Sequence, residues 1–164
     1  MKRILCMVAL ATLTMMSSYA QSVVSVKVDE LVKKYDEVKG VNCITVSKKI
    51  GLELFKKKFA KQLGKEFMRG VTGITIIEYS DASEQTCQDF RKELDVFASL
   101  LEEFGDKEEE KDPDQDYTRC FGSVSKEDAT LSDFLITIED DEQKMFLYME
   151  GVMKVGEDKL TFDD

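Results

Sequence analysis

Apolar residues recur at offsets of three and four through the first two thirds of the chain, and at offsets of two through the last third. Residues 28–38 (VDELVKKYDEV) place Val28, Leu31, Val32, Tyr35 and Val38 on one helical face, preceded by an extended lead-in at 23–28 and stopped by Lys39-Gly40. A longer helix is predicted from a Ser47 cap to Met68. Its stripe is Leu52, Phe55, Phe59, Leu63 and Phe67, widened by Ile50, Leu54 and Ala60. Gly51 and Gly64 each weaken that helix by about 1 kcal/mol relative to alanine, and Gly64 is a natural point of division. A third helix is expected over 83–104, with Cys87, Phe90, Leu94, Phe97 or Ala98, Leu101 and Phe104 inward and Gly105 closing it.

Between these helices lie two β-branched runs, 41–46 (VNCITV) and 71–79 (VTGITIIEY), and the second reads as the central strand. The last third predicts strands at 117–124, 132–139 and 144–153, with 125–131 an irregular connection. Residues 140–143 form a polar turn joining the final two strands as a hairpin. Phe134, Ile136 and Ile138 alternate with Asp133, Leu135 and Thr137, giving one buried and one partly covered face. Residues 145–149 are apolar on both parities, as expected of an interior strand or one that meets a partner. Residues 154–164 are polar, with a terminal strand at 160–162 or a frayed end. The pattern predicts an α/β (α+β) fold: a two-layer sandwich with helices packed on a mixed, mostly antiparallel sheet of about five strands. Strands 41–46 and 71–79, linked through a helix, are expected to run parallel.

The amino end changes the address. Lys2 and Arg3 precede an almost uncharged run at 4–16, and Ser17-Ser18-Tyr19-Ala20 follows. A positive tip, a short apolar core and small residues before a cut make a signal peptide over 1–20, cleaved near Ala20. The predicted product is a periplasmic or secreted chain, 21–164, with one small α/β domain and no transmembrane segment. Cleavage leaves 144 residues with 21 basic and 33 acidic side chains, net −12. That balance argues against a nucleic-acid partner, because phosphate neutralisation needs positive charge.

The charge is not evenly spread. Residues 21–70 carry net +6 and residues 71–164 net −18, so the folded surface should be dipolar. Residues 106–116 (DKEEEKDPDQD), which hold the chain's one proline, read as an exposed acidic loop. Asp112, Asp114 and Asp116 have calcium-loop spacing, but Tyr117 and Ser123 stand where an EF-hand needs glycine and glutamate.

Histidine is absent, which removes Ser-His-Asp and Cys-His catalysis and the HExxH zinc pattern. No CxxC pair and no Gly-Lys-Ser/Thr phosphate loop occurs. No catalytic residue, metal site or cofactor is predicted. Cys43, Cys87 and Cys120 remain after cleavage, an odd number, and three pairings are open. Cys87 with Cys120 is the candidate disulfide, leaving Cys43 in a strand. A free Cys120 would be a poor nucleophile beside so many carboxylates.

The order of elements, and the phrase at 39–55 (KGVNCITVSKKIGLELF) in particular, resembles a family of small exported Bacteroidetes proteins catalogued as a domain of unknown function. The likeness covers roughly 28–153. It implies an exported α/β domain with no established activity, and it brings no catalytic residues. The acidic stretch 106–116 is where this chain departs from that pattern.

The function these observations favour is a noncatalytic interaction protein of the cell envelope. Lys56, Lys57, Lys58, Lys61 and Lys65 are the residues expected to make an electrostatic contact with an envelope protein. Alternatives from other classes are thiol-dependent covalent pairing, and a small-molecule-binding or carboxylate-based enzyme.

Overall fold

The computed structural model describes residues 22–47, 49–104, 117–140 and 142–155. The expected signal peptide at 1–20, the acidic stretch 106–116 and the strand at 160–162 lie outside them. In chain order the elements are α1 (Val23–Tyr35), β1 (Asn42–Val46), α2 (Lys49–Leu63), α3 (Lys65–Arg69), β2 (Val71–Glu78), α4 (Glu84–Ala98), β3 (Glu102–Phe104), β4 (Tyr117–Ser125), β5 (Thr130–Glu139) and β6 (Lys144–Lys154). The α+β class is as the pattern predicts, built on an open six-stranded sheet of order β1-β2-β6-β5-β4-β3.

Every neighbouring pair in the sheet is antiparallel, β1 and β2 included, with Asn42 opposite Glu78 and Val46 opposite Ile74. The parallel pairing expected for these two strands does not occur. α2 and α3 return the chain to the end of the sheet where β1 stopped, so β2 runs back the way β1 came. β2 lies one place in from the edge rather than at the centre. β6 is one of the two central strands, between β2 and β5, which explains why 145–149 is apolar on both parities.

The two parities of β6 feed two separate cores. Phe146 and Tyr148 join Ile77, Tyr79, Phe121 and Leu135 beneath α1 and α4. Leu147 and Met149 join Ile74, Leu131 and Met153 beneath α2 and α3. Helices therefore cover both faces of the sheet, and the expected sandwich gains a third layer. The face under α1 and α4 is the drier one. Phe90, Phe121, Leu135 and Phe146 are fully enclosed there, and Phe90 meets Phe146 edge to face at 5.9 Å. In β5 this face carries Leu135 and Thr137, whereas Phe134, Ile136 and Ile138 are only half-buried on the other.

Several boundaries move for local reasons. The lead-in at 23–28 is helical. Ser22 caps α1 by accepting from the Ser25 N–H at 2.9 Å, and Val24 and Val28 are buried one turn apart. That burial outweighs the β preference of the valines. α1 ends at Tyr35, and Gly40, at φ +83°, takes the turn that follows; a Cβ there would lie 2.2 Å from the Asp81 carbonyl oxygen. Gly64, at φ +93°, separates α2 from α3. Ser83 caps α4 as the sequence suggests. That helix stops at Ala98, and residues 102–104 form a sixth strand paired with β4. Their apolar spacing mimics a continuing stripe, but pairing with β4 supplies the backbone partners that one more helical turn would have.

The hairpin between β5 and β6 is closed by Asp140. Its backbone N–H donates to the Gln143 carbonyl at 2.9 Å, and its carboxylate accepts from the Glu142 and Gln143 N–H groups. A bulge between Ser132 and Phe134 puts Asp133 at φ +52°. Tyr148 and Ser22 hydroxyls donate to its carboxylate at 2.6 and 2.8 Å, which holds that backbone in place.

Candidate functional site

The outer ridge of α2 and α3 is the surface the sequence singles out, and the structure redefines its membership. At 3.6 residues per turn, Ile50, Leu54, Lys57, Lys58 and Lys61 fall within an arc of about 100°, and Leu52, Phe55 and Phe59 occupy the opposite side. Exposure follows that division. Leu52 is buried at 7%, Phe55 and Phe59 are half-buried and stacked 6.1 Å apart, and Lys57, Lys58, Lys61 and Lys65 are exposed.

Lys56 does not belong to the ridge. Its side chain is 18% exposed and lies 3.7 Å from Glu53, on the flank of the helix that turns toward the sheet. Ile50 and Leu54, which the apolar spacing assigns to the core stripe, are instead 82% and 65% exposed. They continue the lysine ridge toward the helix start. The sequence held the signal for this: Ile50 and Leu54 share an i, i+4 register with each other and sit over Lys57 and Lys61, not over Phe55 and Phe59.

α2 and α3 lie on one face of the sheet and the acidic α4 on the other. Across 49–69 there are seven Lys and Arg against two Glu. α4 turns Glu84 and Asp95 to solvent, with Asp89 and Glu93 half-buried. α1, on the same face as α4, adds three lysines against Asp29 and Glu30, so the layer opposite α2 and α3 is close to neutral and the charge asymmetry lies in the basic α2–α3 layer.

The remaining chemistry is turned inward or already partnered. A cleft of about 310 Å³ between α1 and α4 is lined by Lys34, Tyr35, Val38, Thr86, Asp89, Lys92 and Glu93. Its charges neutralise one another. Lys34 donates to Glu93, which raises the lysine pKa, and Lys92 donates to Asp89 at 3.1 Å. In the same core, Glu139, 8% exposed, accepts from the Tyr79 hydroxyl at 2.7 Å and from Arg91 at 2.7 Å. Burial, and then the Glu139 carboxylate, push the Tyr79 phenol well above its ordinary range.

Among the described residues, the thiols of Cys43, Cys87 and Cys120 are free. Cys87 is enclosed in the core under α4, whereas Cys120 stands opposite Ile136 on the other face of the sheet. The sheet itself separates the two cysteines of the candidate disulfide. Burial, and secondarily Asp36 for Cys43 and Glu103 for Cys120, raise the pKa of both remaining thiols, so neither is activated as a nucleophile.

Among the described residues, no three His, Cys, Asp or Glu side chains are placed to hold a metal ion. No described helix is long and apolar enough to cross a membrane. Compared with protein-family models, curated proteins and solved structures, the chain matches none.

Proposed function

We propose that this chain is an exported, noncatalytic docking module of the cell envelope, which engages a negatively charged partner through the α2–α3 ridge. The observation that carries the reading is the exposed Lys57, Lys58 and Lys61 on one arc of α2, with exposed Lys65 at the start of α3 and Ile50 and Leu54 at the head of the arc. Three of these cations stand on α2 and Lys65 opens α3 just past Gly64; together they attract an opposite charge, while the ordering cost of the backbone has already been met in folding. Lys56 plays no part, because its side chain is occupied at the flank of α2.

Sedimentation of the purified chain with isolated cell envelopes tests this at low and high salt. The wild-type chain should pellet at low salt and be released at high salt, and the Lys57→Gln, Lys58→Gln, Lys61→Gln variant should stay in the supernatant at both. Equal retention of wild type and variant at both salts would remove the ridge from the function. Amino-terminal sequencing of the exported form tests the address, with Gln21 expected as the first residue.

A further inference from the structure

We infer that the surface this ridge fits is an anionic phospholipid bilayer. Ile50 and Leu54 would enter the headgroup region, and Lys57, Lys58, Lys61 and Lys65 would meet lipid phosphates. The inference rests on the docking reading above and names its partner.

Three features select a lipid surface over an acidic polypeptide. The ridge is convex: Ile50 and Leu54 stand out at 82% and 65% exposure and do not line a groove. Peptide recognition by helical surfaces ordinarily lays the ligand into an apolar groove, whereas a bilayer offers a plane into which protruding side chains sink. Next, aliphatic and basic groups share a single helical arc, the arrangement of helices that lie in an interface. Phosphates meet the lysines at the depth where the two aliphatic side chains lose water.

The third feature is electrostatic. The exported chain, from Gln21 onward, has net charge −12 and should be repelled by anionic lipid if its charges acted from one point. Residues 49–69, which hold α2 and α3, carry seven basic side chains against two acidic, whereas α1 and α4 across the sheet, roughly 20 Å away at about 10 Å per layer, together carry five basic and six acidic. The screening length at physiological salt is about 8 Å, so a membrane at the α2–α3 face would sense that basic layer first. Each ridge lysine close to such a surface strengthens binding several-fold.

The test uses the chain from Gln21 onward with vesicles of phosphatidylglycerol and phosphatidylcholine, and with phosphatidylcholine alone. Binding is expected to the mixed vesicles only, and to fall steeply with salt. Replacing Lys57, Lys58, Lys61 and Lys65 with glutamine should weaken it by at least tenfold. Ile50→Ser with Leu54→Ser should also weaken it about tenfold or more while leaving the urea midpoint unchanged, because both side chains are solvated in the free protein. The sequence contains no tryptophan, so Leu54→Trp installs a single reporter whose emission should shift to the blue on mixed vesicles.

Equal binding by the wild type and the glutamine variant, or no shift of the Trp reporter, overturns the inference. Absence of vesicle binding together with salt-sensitive, lysine-dependent binding to poly-glutamate also overturns it, while the docking reading stands with a protein partner. Failure to bind vesicles, poly-glutamate and envelopes removes both.

Discussion

Tyr79→Phe removes one hydroxyl from the contact between β2, β5 and α4, and its cost can be worked out from the geometry. The Tyr79 hydroxyl is enclosed and donates to Glu139 at 2.7 Å, and Glu139 is itself 8% exposed. A hydrogen bond to a charged group contributes about 1.5–3 kcal/mol, because the carboxylate loses a donor that water cannot replace. Taking about 2 kcal/mol and a urea dependence near 2 kcal/mol per molar, the midpoint should fall by about 1 M at pH 7.

The same contact predicts how that difference changes with pH. Tyr79 is held protonated in the folded state, its pKa raised from 10.0 by burial and by Glu139. In the unfolded chain it ionises near its ordinary value. The stabilisation is therefore complete below about pH 10 and is lost as pH rises above it, by about 1.4 kcal/mol per pH unit. Phenylalanine has no such loss. Tyr35 and Tyr148, whose pKa values burial also raises, are present in both proteins and cancel in the comparison. The wild type should lead by about 2 kcal/mol at pH 7 and meet the variant near pH 11.5. Urea unfolding followed by circular dichroism at pH 7, 10, 11 and 11.5 reads this directly. Identical midpoints at pH 7, or a gap that stays constant to pH 11.5, would refute the reasoning.

Three further outcomes are expected. Gly40→Ala should destabilise by roughly 1–3 kcal/mol, since the new Cβ would meet the Asp81 carbonyl at 2.2 Å in a left-handed backbone; an unchanged melting curve would contradict that turn. Unfolding the chain from Gln21 without reductant should expose three alkylatable thiols, because the sheet lies between Cys87 and Cys120; a mass showing one modified thiol would mean a disulfide has formed. Glu93→Gln should cost no more than about 1 kcal/mol and lose even that at high salt, because Lys34 and Glu93 pair in the open cleft between α1 and α4; a double-mutant cycle with Lys34→Gln measures it.

Local patterns carried much of the fold. The turn at 140–143 and the Ser83 cap are decided by bonds between near neighbours, and the alternation from 134 to 139 follows from the two-residue period of a strand, so each is legible from a few residues. Gly64 divides the long helix for a similarly local reason, its backbone at φ +93°. The lysines of the ridge were visible too, because solvated charge at helical spacing needs no partner to place it.

Which face each apolar residue serves was settled only when the elements met. Ile50 and Leu54 have the composition of a core stripe, yet α2 rests on the sheet through Leu52, Phe55 and Phe59, and a helix has only one side to bury. Leu135 and Thr137 are enclosed while Phe134 and Ile136 are half-exposed, because α1 and α4 cover the first parity more fully than α2 and α3 cover the second. The antiparallel pairing of β1 and β2, the third layer and the separation of Cys87 from Cys120 are of the same kind. Spacing along one element states that it has two sides; only packing against the others assigns one to the core and the other to water.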